Sequence, residues 1–267
     1  MSIGRALILS CVFLAFAACP APAHRPTAHS RLRFDDEPVP PTESEPQGAH
    51  WRLMTSHGPV HVWRPEGYRP QSAGLLIYVH GYYTDVDKAW REHRLADQFK
   101  LSRRNALFVV PEAPANPNDE VNWKDPSALL AEITDGLGIE IPKGIVVVAG
   151  HSGAFRTISE WLHGGKVKQI VLLDGFYGNV TEFVDWLVAG KGPTPRLFLV
   201  PRETLAETNR LLEGFPDAER RPLMASDVGA QTNAPILVLT AQDGHMELVT
   251  EGRALPLTLR LTALPSL

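Results

Sequence analysis

The sequence predicts an α/β fold: one mostly parallel sheet with helices on both faces and a small cap or none. Three observations support it. Short runs rich in Val, Ile and Leu are apolar throughout, as in strands covered on both faces. These runs alternate with segments of helical spacing, which implies parallel strands joined by crossovers. The run 145–149 passes directly into a glycine-rich turn and then into another helical segment.

The elements follow in order. Residues 60–63 read as a short alternating strand and 74–80 as a buried one. Residues 89–99 have helical spacing, with Trp90, Leu95 and Phe99 on the apolar side. A strand is expected at 105–111 and a helix at 126–134. Strand 145–149 leads into a helix at 155–162. Further strands fall at 169–173, 196–200 and 235–240, with helices at 182–188 and 205–213 between them. Only 176–195 separates two of these strands, which leaves room for one helix and not for a large lid. The stretch 205–234 is long enough to lean over a pocket.

A length of 267 residues suits one large α/β domain. A net charge of -4 gives no electrostatic support for a nucleic-acid partner. The N-terminus reads as a targeting segment: Arg5 precedes an apolar run, 6–18, too short to span a bilayer comfortably. Two endings are open. Phe16-Ala17-Ala18-Cys19 resembles a bacterial lipobox, which would make Cys19 a lipidated membrane attachment. Ala21-Pro22-Ala23 resembles a signal-peptidase site. The expected organisation is a signal peptide at 1–19, a flexible linker at 20–48 rich in Pro, Ala, His and acidic residues, and a folded domain at 49–267. Either ending places the protein in the periplasm or on the envelope membrane. The two cysteines, Cys11 and Cys19, both lie in the leader, so the mature fold is expected to hold no disulfide and no thiol nucleophile.

The chemistry centres on Gly150-His151-Ser152-Gly153-Ala154. Strand, sharp turn and helix would lift the Ser152 hydroxyl above the end of a sheet, with small residues two before and two after it. A serine nucleophile needs a base, an acid to orient the base, and N–H donors for the oxyanion. The base is expected to be His245, just past the last strand. The acid is expected to be Asp174, on a turn after strand 169–173; Glu203, after the next strand, is the alternative acid. The oxyanion donors are expected to be the backbone N–H groups of Tyr82, after the His80-Gly81 turn, and of Gly153. His151 is expected to pack beneath the site. Arg156 is a candidate for binding a substrate carboxylate, and Tyr82, Tyr83, Trp123, Phe176 and Tyr177 are candidates for lining a substrate pocket. No His or Cys cluster has zinc spacing, and Asp85 and Asp87 read as the cap of a helix, so no metal or cofactor is expected.

The order of His80-Gly81, the Gly-His-Ser-Gly-Ala elbow, Asp174 and His245 resembles the α/β-hydrolase superfamily over about residues 51–249. The last elbow position is Ala154 where the family signature has Gly. The family's acid usually follows the strand after the one carrying Asp174, which keeps Glu203 in view. The resemblance implies a serine hydrolase acting on a small-molecule ester through an acyl-enzyme. A periplasmic peptidase or amidase is one alternative, and a non-catalytic binding module of the same fold is another.

Overall fold

A computed structural model describes residues 43–45, 48–190, 193, 196–224 and 232–267. The leader, Cys19 and the linker up to residue 42 lie outside the described residues. The strands are β1 (Glu43–Glu45), β2 (Gly48–Thr55), β3 (Gly58–Pro65), β4 (Gly74–Val79), β5 (Ala106–Pro111), β6 (Val146–His151), β7 (Val167–Leu173), β8 (Leu197–Val200), β9 (Glu219–Pro222) and β10 (Ile236–Thr240). They form one sheet in the order β1-β2-β3-β5-β4-β6-β7-β8-β10-β9. The edge formed by β1, β2 and β3 is antiparallel, including its junction with β5. From β5 to β9 every pair is parallel. The sheet is open, and the chain reverses its direction of travel across it at β4, with β5 on one side and β6 on the other. In such sheets the crevice outside the C-terminal ends of the strands at this point is where ligands bind.

The helices are α1 (Val86–Glu92), α2 (Leu95–Ser102), α3 (Pro126–Leu137), α4 (Phe155–Glu160), α5 (Val180–Ala189), α6 (Leu205–Glu213), α7 (Glu247–Thr250) and α8 (Ala254–Leu261). The period of two along β4 sorts its side chains between two cores. Leu75, Ile77 and Val79 pack with Leu129 and Ile133 of α3, Ile158 of α4, Phe183 and Trp186 of α5 and Leu211 of α6. Leu76 and Tyr78 pack on the other face with Val86 of α1, Leu95 and Phe99 of α2, Leu248 of α7 and Leu255 and Leu259 of α8. Strands covered on both faces are what the all-apolar runs imply.

Two differences from the sequence reading have local causes. Residues 43–45, expected in the linker, pair antiparallel with β2, Glu43 opposite His50. The expected helix 89–99 is two helices, α1 and α2. It breaks because His93 turns inward to meet the Tyr78 hydroxyl through Nδ1 at 3.1 Å, and Arg94 takes a left-handed φ of 49°. As the short interval between β7 and β8 implies, one helix, α5, is found there among the described residues, and it buries Phe183, Trp186 and Leu187 in the core. The stretch 205–234, considered as an overhang, contributes α6 and the edge strand β9, and its residues 225–231 lie outside the described residues. Asp85 does cap α1, accepting from Lys88 N at 2.8 Å.

Three buried histidines make the fold acid-sensitive. His61 lies flat on Trp90 (ring centroids 4.7 Å apart) and meets His50 at 2.8 Å and Asp87 at 3.0 Å. Burial and the neighbouring His50 push its pKa down to about 4. Burial and His80 push His93 down to about 4. Burial, then His245 and His93, push His151 down to about 3. All three folded-state values lie below the unfolded value of about 6.5. Their contribution is therefore complete above pH 6.5 and is lost as pH falls, because only the unfolded chain takes up these protons. His245, whose pKa is raised, works in the opposite sense: its contribution is complete below about pH 6.5 and is lost as pH rises, so it does not offset the loss on acidification. Urea unfolding midpoints are expected to drop steadily from pH 7 to pH 4.5, with each of these buried histidines costing up to about 1.4 kcal/mol per pH unit. A midpoint unchanged between pH 7 and pH 5 would mean that these rings are not held neutral.

Candidate active site

The elbow is built by close contact. Ser152 follows β6 with φ 52°, a left-handed conformation that is costly for a residue with a side chain. A Cβ on Gly150 would lie 2.7 Å from Ala154 Cβ and 2.5 Å from Ile158 Cδ1. The positions two before and two after the serine therefore touch each other, which is the steric reason both are small. Gly150→Ala is expected to destabilise the domain by about 1–3 kcal/mol through overpacking, read as a lower urea midpoint, and to lower activity more than Ala154→Gly does. Two further rim residues are left-handed, Tyr83 (φ 63°) after β4 and Asp174 (φ 45°) after β7. Strained backbone thus collects at three neighbouring strand ends.

Asp174 is fully buried, and both its oxygens are occupied. Oδ1 accepts from the backbone N–H of Arg202 (2.8 Å) and Thr204 (2.9 Å) and from the Thr204 hydroxyl (2.8 Å). Oδ2 accepts from the backbone N–H of Glu203 (3.0 Å) and from His245 Nδ1 (2.7 Å). Burial resists its ionisation, but His245 and these backbone donors outweigh that and hold the carboxyl well below the usual carboxylate range. Reciprocally, the hydrogen bond to Asp174 raises the pKa of His245 against partial burial. With Nδ1–H committed to Asp174, Nε2 of His245 is left as the proton acceptor.

The structure therefore brings Asp174 and His245 together, and it gives Glu203 a different arrangement. The Glu203 backbone serves Asp174, while its carboxylate accepts from the Tyr177 hydroxyl at 3.0 Å. Asp174, Glu203 and His245 offer three ligand atoms within 4.8 Å of one another. Because both Asp174 oxygens and His245 Nδ1 are engaged in hydrogen bonds, the group is built as a hydrogen-bonded relay rather than as a metal cradle.

The remaining parts surround these. His151 lies beneath: its Nε2–H donates to the His245 carbonyl at 3.0 Å and its ring sits 4.5 Å from that of His245. Tyr82 N–H makes no hydrogen bond among the described residues. The Tyr82 ring lies over Gly153, where a Cβ would come within 2.5 Å of it. Gly81 is required by Ser152, since a Cβ there would lie 2.8 Å from Ser152 Cβ. His80 holds this loop. Its Nδ1 bonds Gly81 O at 2.8 Å, and its Nε2 faces Glu112 Oε1 at 2.9 Å and accepts from Ala113 N at 3.0 Å. Glu112 was not singled out by sequence, although it directly follows the β5 run. Thr204 was missed too, and no sequence pattern marks it. Ser152 Oγ itself makes no hydrogen bond among the described residues; such contacts are often loose until substrate is bound.

Of the candidates for substrate contact, Tyr83 is 80% exposed and Tyr177 is exposed with its ring nearly perpendicular to that of His245. Phe176 and Trp123 are corrections. Phe176 is buried edge-on against Phe183, and Trp123, also buried, lines a cleft with His57 and Asn122 that includes none of Ser152, Asp174 and His245. Arg156 is turned to the loop over the site, donating to the carbonyls of Pro117 and of Asp119, the latter at 2.9 Å. Its guanidinium ties that loop to α4 instead of standing free for a carboxylate.

No protein-family model and no curated protein matches the chain. Solved structures do. A feruloyl esterase module from Clostridium thermocellum, complexed with sinapinate, is 13% identical with a TM-score of 0.51, covering 84% of this chain and 96% of that one. An S-formylglutathione hydrolase from Agrobacterium tumefaciens is 10% identical with a TM-score of 0.52, covering 82% and 96%. An esterase from Pyrobaculum calidifontis is 12% identical with a TM-score of 0.50, covering 82% and 85%. At such identities the likeness is one of fold alone: this chain has the α/β-hydrolase fold.

Proposed function

We propose that the protein is a serine esterase that works through an acyl-enzyme, with Ser152 as nucleophile, His245 as base and Asp174 as the orienting acid. The observation that carries this reading is the 2.7 Å bond from His245 Nδ1 to a buried, fully hydrogen-bonded Asp174, on the same sheet rim as the strained Ser152. The neighbours' names, which speak of esterases and a hydrolase, agree with it.

In this mechanism His245 Nε2 takes the Ser152 proton as Oγ attacks the ester carbonyl carbon. The imidazolium is stabilised by Asp174. The oxyanion is received by the N–H groups of Tyr82 and Gly153. His245 then protonates the departing alkoxide, leaving an acyl-serine. Water, deprotonated by the same imidazole, attacks the acyl carbon. Its collapse returns the proton to Ser152 and releases the carboxylic acid.

Exposed apolar side chains collect on this rim: Tyr83 after β4, Tyr177 and Val180 after β7, Leu205 after β8 and Met246 after β10. They favour an ester with an apolar acyl or alcohol group. The engagement of Arg156 with backbone carbonyls removes the one feature that favoured a peptidase reading. Export, with Cys19 as the lipid attachment, belongs to the same proposal and is tested by detergent partitioning of wild type against Cys19→Ala.

The deciding experiment is fluorophosphonate labelling of the purified domain, with the labelled peptide located by mass spectrometry. Labelling at Ser152, lost in Ser152→Ala and weakened in His245→Ala, supports the reading. A folded protein that does not label overturns it and favours a binding role for the same fold.

A further inference from the structure

Two carboxylates approach one imidazole here, and the esterase mechanism uses only one. Asp174 is buried, charged and bonded to His245 Nδ1. Glu203 is exposed, yet its carboxylate lies within 4.8 Å of ligand atoms on both Asp174 and His245. It is held there by two constraints of different kind. Its backbone N–H is fixed on Asp174 Oδ2, and its side chain is tethered by the Tyr177 hydroxyl at 3.0 Å. Tyr177 is in turn set nearly perpendicular to the His245 ring, 6.4 Å between centroids, and packs near Phe155 at 6.3 Å. An exposed glutamate free to sample solvent would need neither constraint.

Resting on the esterase reading above, we infer that Glu203, tethered by Tyr177, is a positioning residue that stabilises the imidazolium form of His245 from the solvent side. Asp174 fixes the tautomer and direction of the ring. Glu203 adds a second negative charge that favours the protonated state formed as Ser152 attacks, and the same charge keeps resting His245 protonated to a higher pH.

The other groups facing His245 are few. His151, from the end of β6, is held neutral beneath it and gives its Nε2 proton to the His245 carbonyl. Glu207 of α6 acts on Tyr177. On the loop of His245 itself, Asp243 pairs with Arg253 at 3.2 Å, and Glu247 is committed to Gly244 N at 2.7 Å. Arg202 is exposed and gives Asp174 its backbone N–H. Glu203 is therefore an exposed carboxylate held within 4.8 Å of a ligand atom of the ring, with no cation paired to it among the described residues. Its attraction to the imidazolium also runs in the same direction as the Asp174 bond.

The test compares wild type, Glu203→Gln and Tyr177→Phe by two readouts. The first is the pH profile of kcat/KM on a neutral ester. Glu203→Gln is expected to move the acidic limb down by about 0.5 pH unit, the order expected for a charge about 5 Å away across a solvent-facing path. The wild-type limb is expected to move with ionic strength more than that of Glu203→Gln. Tyr177→Phe, which releases the tether, is expected to give a smaller shift of the same sign, and Glu203→Asp to restore part of it.

The second readout is an NMR titration of the His245 ring in the same proteins, assigned by its loss in His245→Gln. It does not depend on turnover. Profiles and titrations that coincide in wild type and Glu203→Gln overturn the inference. A lowered His245 pKa in a protein that neither labels nor turns over would leave the electrostatic role standing and remove the esterase reading instead.

Discussion

Ser152→Ala is expected to lower kcat on a phenyl ester by about 10⁵-fold or more while leaving KM nearly unchanged. The methyl group fits where the hydroxymethyl stood, so packing of the elbow is retained. What disappears is the only atom at the apex of the turn able to form the acyl bond. The N–H donors of Tyr82 and Gly153 remain and account for whatever rate persists over water. His245→Ala is expected to fall to a similar level rather than to add to the first loss, since the two act on one proton. Steady-state kinetics on both single variants and the double variant measure this directly. A loss of only tenfold in Ser152→Ala would assign the reaction to another nucleophile.

The second large effect belongs to Asp174→Asn, expected to cost about 10⁴-fold in kcat with the fold kept. The carboxylate receives five hydrogen bonds, and an amide can accept at only one of its two positions. If the amide oxygen keeps the three donors at Oδ1, the amide nitrogen faces the Glu203 N–H and the His245 Nδ1–H. Donors then oppose donors, and the imidazole answers by moving its proton to Nε2, where it can no longer accept from Ser152. The variant should therefore lose chemistry while its fluorophosphonate labelling slows in parallel. Asp174→Ala, which leaves those N–H groups in a dry cavity, should also lower the urea midpoint. An Asp174→Asn enzyme within tenfold of wild type, with Glu203→Gln now severe, would transfer the orienting role to Glu203.

The fold was legible where burial dominates the residue choice. Strands β4, β5, β6, β7, β8 and β10 carry apolar central runs because both of their faces are covered; the exceptions, such as Lys168 and Gln169 of β7 and Thr240 of β10, sit near strand ends. Helix α6 runs over Leu205–Glu213, the range its spacing implies. The sheet margins were not legible. β9 is Glu-Arg-Arg-Pro, an edge strand paired with β10 through backbone and a bond from the Thr240 hydroxyl to the Arg221 carbonyl. β2 mixes His50, Arg52 and Met54 with Trp51, since only part of it is buried. Helix α8 carries leucines at every second position, which resembles a strand; Leu255 and Leu259, four apart, are the pair that enters the core. Its Pro256 is tolerated because the first turn of a helix has no use for that N–H. At the site, the turn after β6 announces itself through small residues. The choice between Asp174 and Glu203 does not, because it depends on which carboxylate meets backbone donors arriving from a different strand.

The groups around Ser152 come from loops that follow β4, β6, β7, β8 and β10, and the His245–Asp174 bond spans 71 residues while the His151–His245 bond spans 94. The base arrives on the last of these loops. A growing or truncated chain that stops short of it can hold the nucleophile and the acid, yet has nothing to take the serine's proton. In the proposed mechanism, hydrolysis therefore waits on this last loop: the domain stays chemically silent until β10 and the loop carrying His245 have docked, and any event that peels β10 from the sheet switches it off without touching the serine.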